Sequence, residues 1–228
     1  MKVFIQARMT SNRLPGKVLI NIKDKKNTLD MIIDKLKKIF LVKNIIVLTS
    51  KQRRDNKIVK YCKKKKINIF RGPLNNVGLR YFLALKKYST KYFMRISADS
   101  PLIDKEIILR LKNFNDKKKY DIITNVCPRS FPKGQSVEIL SSKSFKENYK
   151  FFEKKDLEHV TSFFYRNKAK FKIKNFKNKE NFNNYSIALD TKKDLLQIKK
   201  LFLHFKDCHK YSFRKILKCK ERLRHEKN

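Results

Sequence analysis

Residues 2–17 read KVFIQARMTSNRLPGK: a short β-branched and aromatic run from Lys2 to Gln6 stops at once in a polar loop carrying Arg8, Arg13 and Lys17 around a Pro15-Gly16 turn. The stretch that follows supplies a helix. Residues 28–40 place Leu29, Ile32, Ile33, Leu36, Ile39 and Phe40 on one stripe at helical spacing. Further short apolar runs recur at 44–49 (NIIVLT), 67–70 (INIF), 91–96 (KYFMRI) and 120–124 (YDIIT), and helical patterns over 53–65 and 76–88 separate the earlier ones. This alternation predicts an α/β fold, with a mostly parallel sheet flanked by helices. After residue 125 the order loosens. The pattern there predicts an edge strand near 136–140, a helix over 154–166, a strand near 185–189 and a helix over 192–204. A basic amphipathic helix over 205–228, fraying at the terminus, completes the chain. The expected division is one domain over 1–204 and a basic C-terminal helical tail over 205–228.

With 228 residues the chain has room for one such domain, which buries roughly 70 to 75% of its unfolded surface. Its 59 Lys and Arg against 20 Asp and Glu leave a formal charge of +39, yet 41% of residues are hydrophobic, which excludes a disordered basic tail. The charge invites a nucleic-acid partner. Its texture argues against one, because 46 of the basic residues are Lys and lie along the entire chain rather than in one stripe. The four cysteines, Cys62, Cys127, Cys208 and Cys219, show no metal-ligand or redox spacing. No apolar run approaches the 18 residues or so of a membrane span, and no secretory leader is visible, so a cytoplasmic protein is expected.

Only 4 Gly and 5 Pro occur, and nearly all fall in or beside the loops that follow the strands, where tight turns or close backbone approach to a ligand need them. In open α/β sheets ligands bind beyond the carboxyl ends of strands. The loop after the first strand can direct backbone N–H groups at phosphate oxygens, with Arg13 and Lys17 adding charge where a leaving polyphosphate gathers it. It is not a Walker loop, since Gly16-Lys17 is followed by Val18 and the earlier glycine is missing; a basic surface turn also fits it. Asp99 stands just past the 91–96 run, where a carboxylate can hold a divalent ion against phosphates. Asp104 reads as the cap of the next helix. Asp190, before Thr191 and a helix, fits either a second metal carboxylate or a helix cap.

Five segments taken in order, QARMTSNRLPGKVL (6–19), RISADSPLID (95–104), FPKGQSVEIL (131–140), EHVTSFFY (158–165) and LDTKKDLLQI (189–198), resemble the motifs of the cytidylyltransferases. They most resemble the spore coat polysaccharide biosynthesis protein F-like branch, similar also to 3-deoxy-manno-octulosonate and acylneuraminate cytidylyltransferases. The resemblance implies a Rossmann-like nucleotide-diphospho-sugar transferase fold. It also implies a Mg²⁺-dependent enzyme, commonly a homodimer, that transfers CMP from CTP to a sugar acid, releasing pyrophosphate, for surface polysaccharide or glycan biosynthesis. Carried over residue by residue, Ala7 and Arg8 would meet the nucleoside, Arg13 and Lys17 the phosphates, and Asp99 and Asp190 the metal. Arg71 and Arg80 fall in the segment expected to close over the nucleotide. Arg13, Lys17 and Asp99 are the expected catalytic groups. On the sugar side stand Glu138, His159 and Arg129, the last as a bidentate partner for the acceptor carboxylate. Two positions depart from the branch: Ala98 where a Gly usually precedes the metal aspartate, and Ser136 where an acidic residue commonly precedes the Val-Glu pair. Competing readings are another nucleotidyltransferase or a glycosyltransferase of the same fold, although no D-x-D pair occurs near Asp99, and a non-enzymatic basic protein that binds nucleic acid or anionic membrane.

Overall fold

A computed structural model describes residues 1–225. The strands are β1 (Lys2–Gln6), β2 (Asn21–Lys23), β3 (Lys26–Asn27), β4 (Ile45–Ser50), β5 (Asn68–Gly72), β6 (Tyr92–Ser97), β7 (Ile122–Thr124), β8 (Glu138–Ser141) and β9 (Ile173–Asn175). The helices are α1 (Thr28–Lys37), α2 (Asn56–Lys64), α3 (Val77–Lys87), α4 (Lys105–Lys112), α5 (Ser142–Asn148), α6 (Lys154–Glu158), α7 (Ser162–Arg166), α8 (Lys192–His204) and α9 (Phe213–His225). Seven strands form one sheet in the order β5-β4-β1-β6-β8-β7-β9, and β2 and β3 form a separate hairpin. β1 pairs in parallel with β4 and β6, β4 with β5, and β7 with β9, whereas β8 runs antiparallel to both β6 and β7.

The central strands read as continuous apolar runs because both faces of the sheet are covered. Val3 and Ile5 of β1, Ile45 and Val47 of β4, and Met94 and Ile96 of β6 pack into one layer with α1, α2, α4, α8 and α9. Phe4, Ile46, Leu48 and Phe93 point the other way, into a layer with Val77, Tyr81 and Leu85 of α3, Phe145 of α5 and Phe164 of α7. Helix starts follow local chemistry. Asn27 and Asp30 cap each other's backbone at α1, and Thr191 and Asp194 do the same at α8.

The structure corrects several expectations. The helix expected over 154–166 is two short ones, because the His159 carbonyl accepts hydrogen bonds from the Ser162 N–H (2.9 Å) and hydroxyl (2.7 Å) and turns the chain between them. β8 is an inner strand, since β7 and β9 close the sheet beyond it; β9 is short and flanked by lysines, and its pattern predicts nothing. Residues 185–189 form no strand. They run extended, with a single bridge from Ser186 to Lys133 and a hydrogen bond from the Leu189 N–H to the Asp99 carbonyl (2.8 Å). The last helix starts at Phe213, after a turn with left-handed Asp207, and Asp104 accepts the Phe213 N–H (3.0 Å). Phe213, Ile216, Leu217, Cys219 and Leu223 bury its apolar face in the first layer. The expected fraying beyond His225 lies outside the described residues. No helix among the described residues is long and apolar enough to cross a membrane.

Asp156 shows how the α6–α7 corner is held. It accepts both guanidinium donors of Arg166 (2.8 and 2.7 Å) and the Ser162 hydroxyl (2.7 Å). The Arg166 hydrogen bonds outweigh burial and hold its carboxyl down at about 2, against an ordinary 3.8. A depressed carboxylate contributes stability that is complete above its unfolded pKa and fades as pH falls through the folded one. Unfolding free energy should therefore drop between pH 4 and pH 2, and Asp156→Asn, less stable at neutral pH, should show a flatter acid limb in urea titrations.

Candidate active site

From β1 the strand order grows one way through β4 and β5 and the other way through β6, so the carboxyl ends of β1 and β6 flank the point where the order reverses. Residues 7–17 and 98–104 leave the sheet there. Ala7, buried, extends the pairing with an N–H to the Leu48 carbonyl (3.0 Å), and the Ala98 N–H donates to the Gln6 carbonyl (3.0 Å). Gly16 then turns the first loop back with φ +73°, its N–H donating to the Met9 carbonyl (2.9 Å). A side chain at that φ would be strained.

A buried carboxylate fixes the far side of this loop. Asp55 accepts the Met9 N–H (2.7 Å), the Ser50 N–H (2.9 Å) and the hydroxyls of Thr49 (3.0 Å) and Ser50, and so ties the loop to the end of β4. No motif or apolar pattern marks this residue in the sequence. The available signal was that Asp55 is the lone acidic residue between 51 and 66, a stretch otherwise rich in Lys and Arg.

Asp99, Asp190, Lys17 and Arg13 converge at the mouth of the edge. The Lys17 ammonium donates to Asp99 Oδ2 (3.0 Å) and to Asp190 Oδ1 (2.7 Å), and Arg13 reaches Asp190 Oδ2 at 3.3 Å. The Lys17 side chain is 12% exposed and the two carboxylates 27% and 29%, so the cluster is accessible but its ammonium is sheltered. Burial works to raise the Asp190 pKa, but Lys17 and then Arg13 hold it below the usual carboxylate range. Thr191, not Asp190, caps α8, which leaves the Asp190 carboxylate free of that duty. The segment bearing it is pressed against the 131–136 loop at Gly134. There φ is +93°, and an added Cβ would lie 2.7 Å from the Ala188 nitrogen.

These groups fit Mg²⁺. Both carboxylates face one cation, the Lys17 ammonium, and so converge on a single point of positive charge. Among the described residues no set of three or more His, Cys, Asp and Glu could hold a metal alone. A Mg²⁺ ion would therefore draw its other ligands from phosphate oxygens and water, which is its usual habit.

The other expected residues divide. Arg8 crosses the mouth to Glu158 (3.2 Å), a partner that sequence reasoning missed, and exposed His159 follows it at the end of α6. Arg71 spends its Nε and Nη2 on the carbonyls of Ser50 (3.0 Å) and Gln52 (3.2 Å). Arg80 lies beneath the segment that Arg71 begins, and its Nη1 has no hydrogen-bond partner among the described residues. Its side chain is wholly buried, with Nε and Nη2 on the Pro73 carbonyl (3.0 and 2.6 Å) and Nη2 also on that of Leu74 (3.1 Å), so it props the 71–76 loop from below. Glu138 likewise faces inward, 2% exposed and committed to Arg95 and the Tyr165 hydroxyl. It organises a network with these two side chains. Arg129, half-buried, donates to the Ser136 hydroxyl (3.1 Å), and its Nη1 has no partner.

Cations and paired carboxylates thus meet at the switch point of a doubly wound α/β sheet, the place where such folds bind ligands. The sequence profile of the cytidylyltransferase family matches residues 3–226, and the chain belongs to that family. An uncharacterised protein of Methanocaldococcus jannaschii is 33% identical over 204 residues, 88% of this chain and 82% of that protein. The spore coat polysaccharide biosynthesis protein SpsF of Bacillus subtilis is 26% identical over 210 residues, 87% of this chain and 84% of SpsF. Among solved structures, a cytidylyltransferase from Leptospira borgpetersenii serovar Hardjo-bovis superposes with a TM-score of 0.90 at 26% identity, covering 98% of this chain and 94% of that one.

Proposed function

We propose that the protein transfers CMP from CTP to a sugar acid, with release of pyrophosphate, in the making of a surface polysaccharide or other glycan. The observation that carries this reading is the cluster of Lys17, Arg13, Asp99 and Asp190 at the β1–β6 switch point of a cytidylyltransferase-family chain. Similarity to SpsF supports the polysaccharide context. The Gly16 turn and the Asp55 anchor hold the backbone of residues 7–17 in a shape suited to a triphosphate. Ala7 and Arg8, where the loop leaves β1, sit on the nucleoside side. Arg13 and Lys17 counter the charge that builds on the departing pyrophosphate as the acceptor hydroxyl attacks the α-phosphate in line. A Mg²⁺ ion held by Asp99 and Asp190 would supply charge neutralisation at the phosphates and acidify the attacking hydroxyl. No side chain is required as a dedicated general base. Homodimer assembly belongs to the same proposal, and the scattered lysines are assigned to a solvated surface rather than to nucleic acid. The test is a pyrophosphate-release screen of a panel of ulosonic acids with CTP, UTP, GTP and ATP in turn. Release confined to CTP and an acid acceptor supports the reading, and release with UTP and a neutral sugar overturns it.

Arg129 is assigned to the acceptor carboxylate. β7 ends and β8 begins at the same edge as the β6 carboxyl end, since Thr124 and Arg95 both pair with Glu138. The intervening loop therefore lies over the site. Among the described residues no carboxylate forms an ion pair with Arg129, and burial pulls its pKa down, with Glu138 and Tyr165 opposing. A half-buried guanidinium with a neutral partner favours an incoming anion. Arg129→Met should remove that counter-charge and raise the KM for the acid acceptor about tenfold or more, leaving the KM for CTP within about twofold. Steady-state kinetics with each substrate varied checks both numbers.

A further inference from the structure

The cations at the mouth of the site are paired with the carboxylates rather than turned toward open solvent. Lys17 bridges Asp99 and Asp190 through one ammonium, and Arg13 adds a second contact to Asp190. Two positive and two negative side chains thus form a closed, locally neutral cluster. An ion arriving alone must displace the ammonium, and it leaves the sheltered Lys17 without a counter-charge, while Arg13, 67% exposed, passes to solvent. A polyphosphate arriving with the ion changes that balance. Lys17 and Arg13 can then pass from carboxylate to phosphate while the carboxylates pass from ammonium to metal, and every charge keeps a partner.

We infer that Lys17 gates the metal site, so that Asp99 and Asp190 take up a divalent cation only together with the nucleotide's polyphosphate. The inference rests on the proposed metal role of the two aspartates and adds to it an order of binding. Its functional consequence is that the nucleotide-free protein does not hold a metal idle against the carboxylates. The metal affinity of the free protein is lowered by the small fraction of molecules in which the ammonium has left its partners. The gate uses the length and single charge of lysine. Methionine in its place keeps the bulk of the stem and removes the bridge.

The test reads metal binding directly. Mn²⁺ is titrated into the full-length protein and followed by electron paramagnetic resonance, with and without CTP and in the absence of any acceptor, for the wild type and for Lys17→Met. The wild type should bind Mn²⁺ in the presence of CTP at least roughly a hundredfold more tightly than without it, after correction for Mn²⁺ bound by free CTP. Lys17→Met should bind Mn²⁺ without nucleotide at least about tenfold more tightly than the wild type does. A nucleotide-free affinity that is equal in the two proteins, while the CTP complex still takes up Mn²⁺ and loses it in Asp190→Asn, overturns the gate and spares the metal site. Absence of Mn²⁺ from the CTP complex of the wild type overturns both. Lys17→Gln, also neutral and of similar reach, is titrated alongside with the same expected gain, so a poorly folded Lys17→Met protein does not remove the test.

Discussion

Asp99→Asn lowers CTP turnover by about a hundredfold to a thousandfold at the Mg²⁺ concentration that just saturates the wild type, the scale of losing one charge-stabilising group from a preorganised site. The effect is expected in the rate and not in the fold. Asn keeps the size of Asp, the side chain is partly exposed, and Lys17 retains its shorter contact to Asp190 after the change. Denaturation midpoints should move little, because no buried charge is left unpaired. Raising the Mg²⁺ concentration should recover part of the rate, since one carboxylate remains. Pyrophosphate release measured across Mg²⁺ concentrations separates the possibilities. Near-wild-type turnover at every concentration would remove Asp99 from the metal site.

Asp55→Ala acts in the opposite way, through stability first. Four hydrogen bonds converge on this buried carboxylate, from the N–H groups of Met9 and Ser50 and the hydroxyls of Thr49 and Ser50. Alanine leaves those donors without an acceptor in a place water does not reach. A loss of about 3 kcal/mol or more in unfolding free energy follows, since each buried unsatisfied group costs about 1 to 3 kcal/mol. The Met9 N–H is the tether of the nucleotide loop, so CTP binding should weaken even at temperatures where the protein stays folded. Asp55→Asn, which keeps one acceptor oxygen, should lose less of both. Urea midpoints and a CTP titration on the same preparations check the pair of effects. An Asp55→Ala protein as stable as wild type, with unchanged CTP affinity, would show that the loop is held by other contacts.

The sequence carried the first half of the fold plainly. β1 and β4 carry buried apolar runs, β6 does so around Arg95, and the edge strand β5 still shows Ile69 and Phe70 together, while α1, α2 and α3 show one apolar stripe each. The second half was harder for a physical reason. β9 is three half-buried residues with Lys174 in the middle and leaves no periodic pattern, whereas 185–189 reads as a strand but is held by only one bridge and a backbone contact to Asp99. The split of α6 from α7 depends on a hydroxyl and a carbonyl that no spacing rule anticipates.

The site was legible to a similar degree. Arg13, Lys17, Asp99 and Asp190 come from loops as far apart as residues 13 and 190, and the structure brings them within hydrogen-bond or ion-pair distance. Arg80 and Glu138 carried the right chemistry for a site, but burial commits them to carbonyls and to Arg95. Burial is what a residue's type alone does not report. Asp55 and Glu158 were missed because their roles depend on partners 46 and 150 residues away. The +39 charge proved the weakest guide, since the cations gathered at the proposed centre are two, Arg13 and Lys17.

The most direct measurement follows the α-phosphate. CTP labelled at that position is incubated with the protein, Mg²⁺ and the acid acceptor that gives the most pyrophosphate. The label should pass into a CMP-sugar acid in equal amount to the pyrophosphate released. Label recovered only as CTP or free CMP, whatever the acceptor, would contradict it.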